Sequence, residues 1–164
     1  MDSGDIIDIF LQPGEFFVGD ASFRIRTLLG SCVSMTLWHP GLKIGAMSHF
    51  LLPTRNTPGD PDGRYCDEAL GLMVAQLADY GARASACQAK LFGGGNMFPN
   101  RARSGPAIGV QNGEAARQLL AAHGIPLVAS SLFGVGHRQI MFEVASGDVW
   151  SRQSDVSMPA RTAA

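Results

Sequence analysis

Cys32 and His49 are the residues of this chain whose types and spacing could do chemistry. A cysteine thiolate is a strong nucleophile, but a free thiol with a pKa of about 8.5 is largely protonated at neutral pH. A neighbouring imidazole can take the thiol proton, and an imidazolium favours the thiolate and can later protonate a leaving group. The pair therefore predicts a cysteine hydrolase that works through a covalent intermediate.

Three residues shortly before Cys32 could support this nucleophile. Gly30 and Ser31 interrupt an apolar segment and let the backbone turn sharply, so that amides near Cys32 could point at an oxyanion. Thr27 lies on the segment that leads into the turn, and its hydroxyl could orient the imidazole as the third group of a triad does. Threonine is common in strands, so Thr27 by itself carries little weight.

The elements around these residues predict how the thiol and the imidazole could meet. If strands over residues 33–39 and 42–52 form a hairpin, Pro40-Gly41 would be its two-residue loop. Counting along the two strands then places Cys32 directly opposite His49, with Cβ atoms about 4.5–5.5 Å apart. One further loop residue would instead move the histidine to the other face of the sheet.

Each of these residues also has a structural interpretation. Cys32 taken alone is more often a small buried core residue, and His49 on an apolar strand is more often a core histidine. A metal site from Cys32, His39 and His49 is a poor fit, because His39 points away from the other two if the hairpin forms. The matched spacing of Cys32 and His49 gives the catalytic interpretation the same weight as the structural one.

The other cysteines and a glycine run are interpreted as structural. Cys66 begins a predicted helix and Cys87 precedes a predicted strand, although a helix N-terminus could lower the pKa of Cys66. The run Gly93-Gly94-Gly95-Asn96 lacks the lysine and the serine or threonine of a phosphate-binding loop. Tight turns or close backbone approach explain this run better.

Composition and charge exclude several classes of protein. Of the 164 residues, 46% are hydrophobic and 16% charged, as in a globular protein. The net charge of -1 offers no field for nucleic acid or an acidic membrane surface, and no apolar run approaches the roughly 18 residues that span a bilayer. The acidic N-terminus lacks the basic start of a signal peptide, and three cysteines fit a reducing cytoplasm better than a disulfide framework. We therefore predict a cytoplasmic protein with no nucleic-acid partner and no membrane insertion.

Hydrophobic periodicity predicts several strands and two helices in mixed order. The stronger helix covers residues 65–80, and a second covers residues 113–123 with Asn112 as its N-cap. Strands are predicted at residues 15–19, 23–29, 33–38, 43–52, 89–92, 125–131, 138–145 and from 149. We expect an α+β or mixed α/β fold with helices covering sheet faces, in one domain over residues 1–164 with a short flexible tail from about residue 153.

Five segments of the chain match a known family, in order and over most of residues 15–150. The segments are TLLGSCV (27–33), IGAMSHFLLP (44–53), DGRYCDEAL (62–70), AKLFGGGNMF (89–98) and GIPLVA (124–129). On these segments the chain resembles CheD, the chemoreceptor glutamine deamidase family of bacterial chemotaxis. The resemblance implies a β-sandwich of mixed sheets flanked by helices, in α/β/β/α layers, as in deamidase toxins of the cytotoxic necrotizing factor type.

The same resemblance implies a chemistry. The family's catalytic cysteine, histidine and threonine fall on Cys32, His49 and Thr27, with Gly30 and Ser31 as backbone support. The implied activity is hydrolysis of glutamine side chains to glutamate on methyl-accepting chemotaxis receptors, through a thioester on the cysteine and with release of ammonia. Weak receptor methylesterase activity could follow the same path. The resemblance implies neither a cofactor nor a metal, and the phosphatase CheC is a frequent partner in the family.

Two other classes of function are open at this stage. The chain could be a regulatory module that binds receptors or CheC with little turnover, although pure binding would not need a complete Cys/His/Thr set. It could also be a cysteine peptidase or acyltransferase, which would cleave a backbone or incorporate an amine.

Overall fold

Nine strands in the described residues, 4–101 and 105–154 of the computed structural model, form two sheets. The strands are β1 (Ile7–Phe10), β2 (Phe16–Gly19), β3 (Phe23–Leu29), β4 (Val33–His39), β5 (Ile44–Ser48), β6 (Gln88–Gly93), β7 (Leu127–Leu132), β8 (His137–Glu143) and β9 (Val149–Ser154). One sheet has the order β1-β3-β8-β9 and the other the order β2-β5-β4-β6-β7. Both sheets are mixed, because β1 runs parallel to β3 and β6 parallel to β7 while the other neighbours are antiparallel.

The two described helices, α1 (Cys66–Asp79) and α2 (Ile108–Ala122), pack against the five-stranded sheet, and a 3₁₀ turn spans Ala84–Ala86. Residues of α1 at spacings of three and four are buried, as an amphipathic helix requires.

The expected fold class, an α+β sandwich of mixed sheets with flanking helices, is confirmed. One detail of the expected α/β/β/α order differs: in the described residues both helices lie on the same side. The outer face of the four-stranded sheet carries exposed residues such as Arg26 and Leu28 in place of a helix layer.

Two apolar cores follow from this layering. One core lies between the helices and the five-stranded sheet, and includes Leu70, Met73 and Leu37. The second lies between the two sheets, and includes Ile25 and Phe142. Because β4 is buried on both faces, its side chains alternate between the two cores.

The link between β3 and β4 carries the chain from one sheet to the other. Strand β3 ends at Leu29 in the four-stranded sheet, and β4 begins at Val33 in the five-stranded sheet. The turn predicted at Gly30-Ser31 is therefore confirmed, and it is a crossing between sheets. Cys32 is the last residue of this crossing.

The predicted hairpin forms, but its predicted register is wrong. Strands β4 and β5 pair His39 with Ile44, so the loop has four residues instead of two. Both favoured two-residue turns need a positive φ at their first central residue, and a proline at position 40 cannot adopt one. Lys43 takes the left-handed conformation at φ 54° instead, and the N–H of Leu42 donates to His39 Nδ1 at 3.0 Å. The shift is two residues, so every side chain keeps its predicted face.

The second helix begins earlier than predicted. It starts at Ile108, after Ala107 as N-cap, so Asn112 lies inside α2 and is not its cap. Asparagine and glycine are weak helix formers, and here tertiary packing overrides that preference.

Strand β1 was not predicted from the sequence. The predicted tail lies outside the described residues except for residues 153 and 154, which extend β9.

The packing between the sheets predicts a large stability difference between two substitutions. Phe142 is fully buried between the sheets, so Phe142→Ala should lower the free energy of unfolding by about 3–5 kcal/mol. Leu28 lies on the neighbouring strand with its side chain exposed, and Leu28→Ala should change it by about 0.5 kcal/mol or less. Urea unfolding measures both values, and similar losses would contradict the assigned faces.

Candidate active site

Thr27 and His49 meet in the space between the two sheets. Thr27 belongs to β3 of the four-stranded sheet, and His49 directly follows β5 of the five-stranded sheet. Thr27 Oγ1 lies 2.7 Å from His49 Nδ1. Both side chains are buried. The structure thus brings together two of the three predicted triad residues across the sandwich.

A second contact of Thr27 fixes which nitrogen of the histidine carries the proton. Thr27 Oγ1 also lies 2.8 Å from the carbonyl oxygen of Leu11, which can only accept. The hydroxyl has a single hydrogen, so it donates to Leu11 and accepts from His49 Nδ1–H. His49 is therefore assigned as the Nδ1–H tautomer, which leaves a lone pair on Nε2 to act as a base. Sequence reasoning missed Leu11, because a backbone acceptor leaves no signal in the residue type.

Cys32 lies on the same side of the five-stranded sheet as His49. It is half-buried and packs against the inter-sheet core. In the observed register Ser34 is opposite His49, so Cys32 is its diagonal neighbour and not its direct partner as predicted. No hydrogen bond joins Cys32 Sγ to His49 within the described residues. Hydrogen bonds between catalytic groups are often long or poorly aligned before substrate binds, so the two remain candidates for such a pair.

The backbone around Cys32 has its carbonyls paired and its amides available. The carbonyls of Gly30 and Cys32 accept from the N–H groups of Gly95 (3.0 Å) and Gly94 (2.9 Å). The carbonyl of Ser31 accepts from a side-chain amide of α2. In residues 4–101 and 105–154, no hydrogen bond uses the N–H groups of Ser31 or Cys32. These two amides are candidate donors to an oxyanion.

The glycine run after β6 acts by close backbone approach, as the sequence suggested. Gly93 and Gly94 have φ values of 109° and 66°, which disfavour any other residue type. A Cβ on Gly93 would collide with the carbonyl oxygen of Cys32, and one on Gly95 with the carbonyl of Gly136. The run is therefore a backbone support for the segment that carries Cys32.

Burial sets the ionisation of the pair. It lowers the pKa of His49 from 6.5 to about 4 and raises the pKa of the Cys32 thiol. At neutral pH the resting pair is a thiol and a neutral imidazole, whereas the sequence suggested an imidazolium beside a thiolate. This protonation state suits a general base that takes the proton during attack.

The other candidates from the sequence lie apart from this site. Burial, with the charge of Asp67 as a second cause, raises the pKa of Cys66 to about 12, so the helix N-terminus does not activate it. Burial likewise raises the pKa of Cys87 to about 11. His39 accepts from its own loop on the opposite face of the sheet, and the described residues include no group of three or more His, Cys, Asp or Glu that could hold a metal.

Comparison with known proteins gives one family match. The family model described as CheD chemotactic sensory transduction matches residues 51–153. This span includes the glycine run and both helices, but it begins after Cys32 and His49. In the part of the chain that the structure describes, no helix is long and apolar enough to cross a membrane.

Curated relatives extend the similarity over the N-terminal half. A probable chemoreceptor glutamine deamidase CheD 2 of Albidiferax ferrireducens is 61% identical over 151 residues, which are 90% of this chain and 87% of the relative. A probable chemoreceptor glutamine deamidase CheD 3 of Dechloromonas aromatica is 46% identical over 148 residues, 89% of this chain and 87% of the relative. A probable chemoreceptor glutamine deamidase CheD of Pseudomonas fluorescens is 42% identical over 154 residues, 92% of this chain and 87% of the relative.

Two glycine-to-alanine substitutions separate backbone strain from contact with the nucleophile segment. Gly81 and Gly93 both have positive φ, so alanine at either position should lower the free energy of unfolding by about 1–2 kcal/mol through backbone strain alone, with a further loss from the collision at Gly93. Only Gly93→Ala brings a Cβ against the carbonyl of Cys32, since nothing lies within 4 Å of a Cβ on Gly81. Gly93→Ala should therefore also change the rate at which iodoacetamide alkylates Cys32. Equal alkylation rates in the two variants would refute the proposed support.

The lowered pKa of His49 predicts acid sensitivity in a defined window. Between pH 6.5 and about 4 the unfolded chain binds a proton at His49 that the folded chain does not. The free energy of unfolding should therefore fall as pH falls through this window, by at most about 3 kcal/mol from this group. Urea unfolding at several pH values measures the slope. His49→Gln should flatten it, while His123→Gln, which removes an exposed histidine, should not; parallel slopes for all three proteins would contradict the assignment.

Proposed function

This chain belongs to the CheD family, and we propose that it hydrolyses glutamine side chains of methyl-accepting chemotaxis receptors to glutamate. The relatives, which are described as probable chemoreceptor glutamine deamidases, support the reaction and the substrate class. The observation that carries the proposal is the Thr27–His49 hydrogen bond of 2.7 Å, which leaves His49 Nε2 free on the face shared with Cys32. Cys32, His49 and Thr27 are proposed as nucleophile, base and orienting group.

In the first half of the reaction, Cys32 Sγ attacks the carbon of the glutamine carboxamide. The thiol proton passes to His49 Nε2 as the S–C bond forms, so that a thiolate never has to exist in a site where burial raises the thiol pKa. The carbonyl oxygen becomes an oxyanion, which the N–H groups of Ser31 and Cys32 can stabilise because no protein acceptor among the described residues occupies them. His49 then protonates the leaving nitrogen, and ammonia departs to leave a γ-glutamyl thioester.

In the second half, water cleaves the thioester. His49 Nε2 takes a proton from the attacking water, and the same amides stabilise the second oxyanion. The Cys32–carbon bond breaks, the sulfur recovers the proton from His49, and glutamate is released. A γ-methyl ester of glutamate could enter at the first step with methanol as the leaving group, which would give weak methylesterase activity.

Thr27 acts on this reaction through the histidine. Its hydroxyl holds Nδ1–H and thereby keeps the imidazole in the tautomer whose Nε2 is basic. The Leu11 carbonyl takes the only hydroxyl hydrogen, so Thr27 cannot donate to Nδ1 and invert the tautomer.

The proposed reaction uses no cofactor. Besides the receptors, we propose the phosphatase CheC as a partner, on the ground of family membership alone.

Ammonia release from receptor cytoplasmic fragments tests the proposal. The wild-type chain should release ammonia. The intact mass of the fragment should rise, because each hydrolysed glutamine amide becomes a glutamate carboxylic acid. Cys32→Ala should release none, and His49→Gln should lower kcat by about 10²–10⁴-fold because the base is lost.

A matched pair at position 27 tests the third role. Thr27→Val keeps the shape but leaves Nδ1–H and the Leu11 carbonyl unpaired, and should lower kcat by about 10²-fold. Thr27→Ser keeps the hydroxyl and should retain most of the activity.

If Cys32→Ala keeps full activity, the proposed mechanism is wrong. If the wild-type chain binds the fragment with no ammonia release, the chain is a binding module, and backbone cleavage would indicate a peptidase.

A further inference from the structure

We propose that Asn112 is a positioning residue that sets the spacing between the Cys32 segment and the His49 segment. The proposal rests on the catalytic roles proposed above for Cys32 and His49. Neither the family resemblance nor the residue pattern of α2 assigned Asn112 this role.

The contacts of Asn112 connect the two catalytic segments directly. Its side chain is fully buried near the start of α2. Its Nδ2 donates to the carbonyl of Ser31 at 3.2 Å and to the carbonyl of Leu51 at 2.8 Å. Ser31 immediately precedes Cys32, and Leu51 is two residues beyond His49. A single amide group thus holds both catalytic residues through their neighbours.

This contact lies where the backbone pairing of the two strands stops. Val33 and Phe50 form the last pair, with N–H···O distances of 3.2 and 3.0 Å in the two directions. Beyond them the carbonyls of Ser31 and Leu51 are both acceptors and cannot bond to each other. The Asn112 NH₂ group supplies the two hydrogens that join them. It therefore continues the connection between β4 and β5 into the catalytic segments.

The cost of placing an amide here supports a specific role. In the described residues Asn112 Oδ1 is buried without a hydrogen-bond partner, which is unfavourable. Asparagine is also a weak helix former, and neighbouring positions of α2 such as Ala116 and Leu120 are apolar. An apolar residue would remove the orphaned oxygen, but it would leave the carbonyls of Ser31 and Leu51 unpaired. The two donated hydrogen bonds explain why an amide is present.

Asn112→Leu, with Leu120→Ala as a matched control, tests the proposal. Both substitutions change a fully buried side chain of α2, but only the first removes the link between the catalytic segments. In receptor-fragment deamidation, Asn112→Leu should lower kcat by about 10²-fold with little change in KM, because the reacting groups are misplaced. Leu120→Ala should lower the melting temperature and leave kcat unchanged.

A substrate-free measurement gives a second readout. Iodoacetamide alkylation of Cys32, quantified by peptide mass spectrometry, is compared at about pH 7, where a base must assist, and at about pH 10, where a larger fraction of the thiol ionises without the imidazole. Asn112→Leu should lower the ratio of these two rates, and Leu120→Ala should not. The buried Cys66 and Cys87 serve as internal controls, since rapid alkylation of either indicates unfolding.

Several outcomes would overturn the proposal. A folded Asn112→Leu protein with unchanged kcat and rate ratio would do so, as would the same loss in Leu120→Ala. If Asn112→Leu does not fold, the wild-type protein decides by NMR: the side-chain amide protons of Asn112 should exchange slowly with solvent, and exchange as fast as a free amide would refute the link. Absence of ammonia release in the wild type would refute the proposed function, whereas the alkylation ratio and amide exchange test Asn112 independently.

Discussion

The hydrogen bond between Thr27 Oγ1 and His49 Nδ1 spans the space between the two sheets of the sandwich. One partner comes from each sheet, so the bond exists only when the sheets pack in one relative position. Thr27 Oγ1 also donates a hydrogen bond to the carbonyl of Leu11, which connects the segment after β1 to the same pair. Three segments that are distant in sequence therefore determine the tautomer of one ring. The inter-sheet core around Ile25 and Phe142 is what holds them at that distance.

Burial of this bond also determines how the imidazole and the neighbouring thiol are ionised at rest. A buried charge is costly unless it is paired, so the site rests with a neutral thiol and a neutral imidazole. In the proposed reaction charge develops only when a carboxamide arrives, and the N–H groups of Ser31 and Cys32, which no described acceptor occupies, are the proposed donors to it. Donors that are in place beforehand need little rearrangement when charge develops. The arrangement is also protective, since a thiol with a raised pKa reacts slowly with adventitious electrophiles.

The sequence was sufficient for most of the elements, but not for β1, for the start of α2 or for the contacts between elements. Residues 23–29 alternate and then become continuously apolar, and β3 has those bounds. The hairpin register failed because counting assumed a two-residue loop, while the proline at position 40 requires a longer one. Asn112 was misassigned because Asn-Gly is typical of helix starts and turns, and only the packed structure shows which carbonyls it faces. Leu11 could not have been found at all, since its contribution is a backbone oxygen.

The segment that carries Cys32 is held mainly by main-chain groups of the glycine run and by one amide of α2. Main-chain contacts do not depend on which side chains surround them. Exchange of the side chains around this segment is therefore not expected to move Cys32, the proposed nucleophile. The opposite holds for Gly93 and Gly95: a side chain at either position collides with a neighbouring carbonyl, so this stretch has almost no mutational freedom.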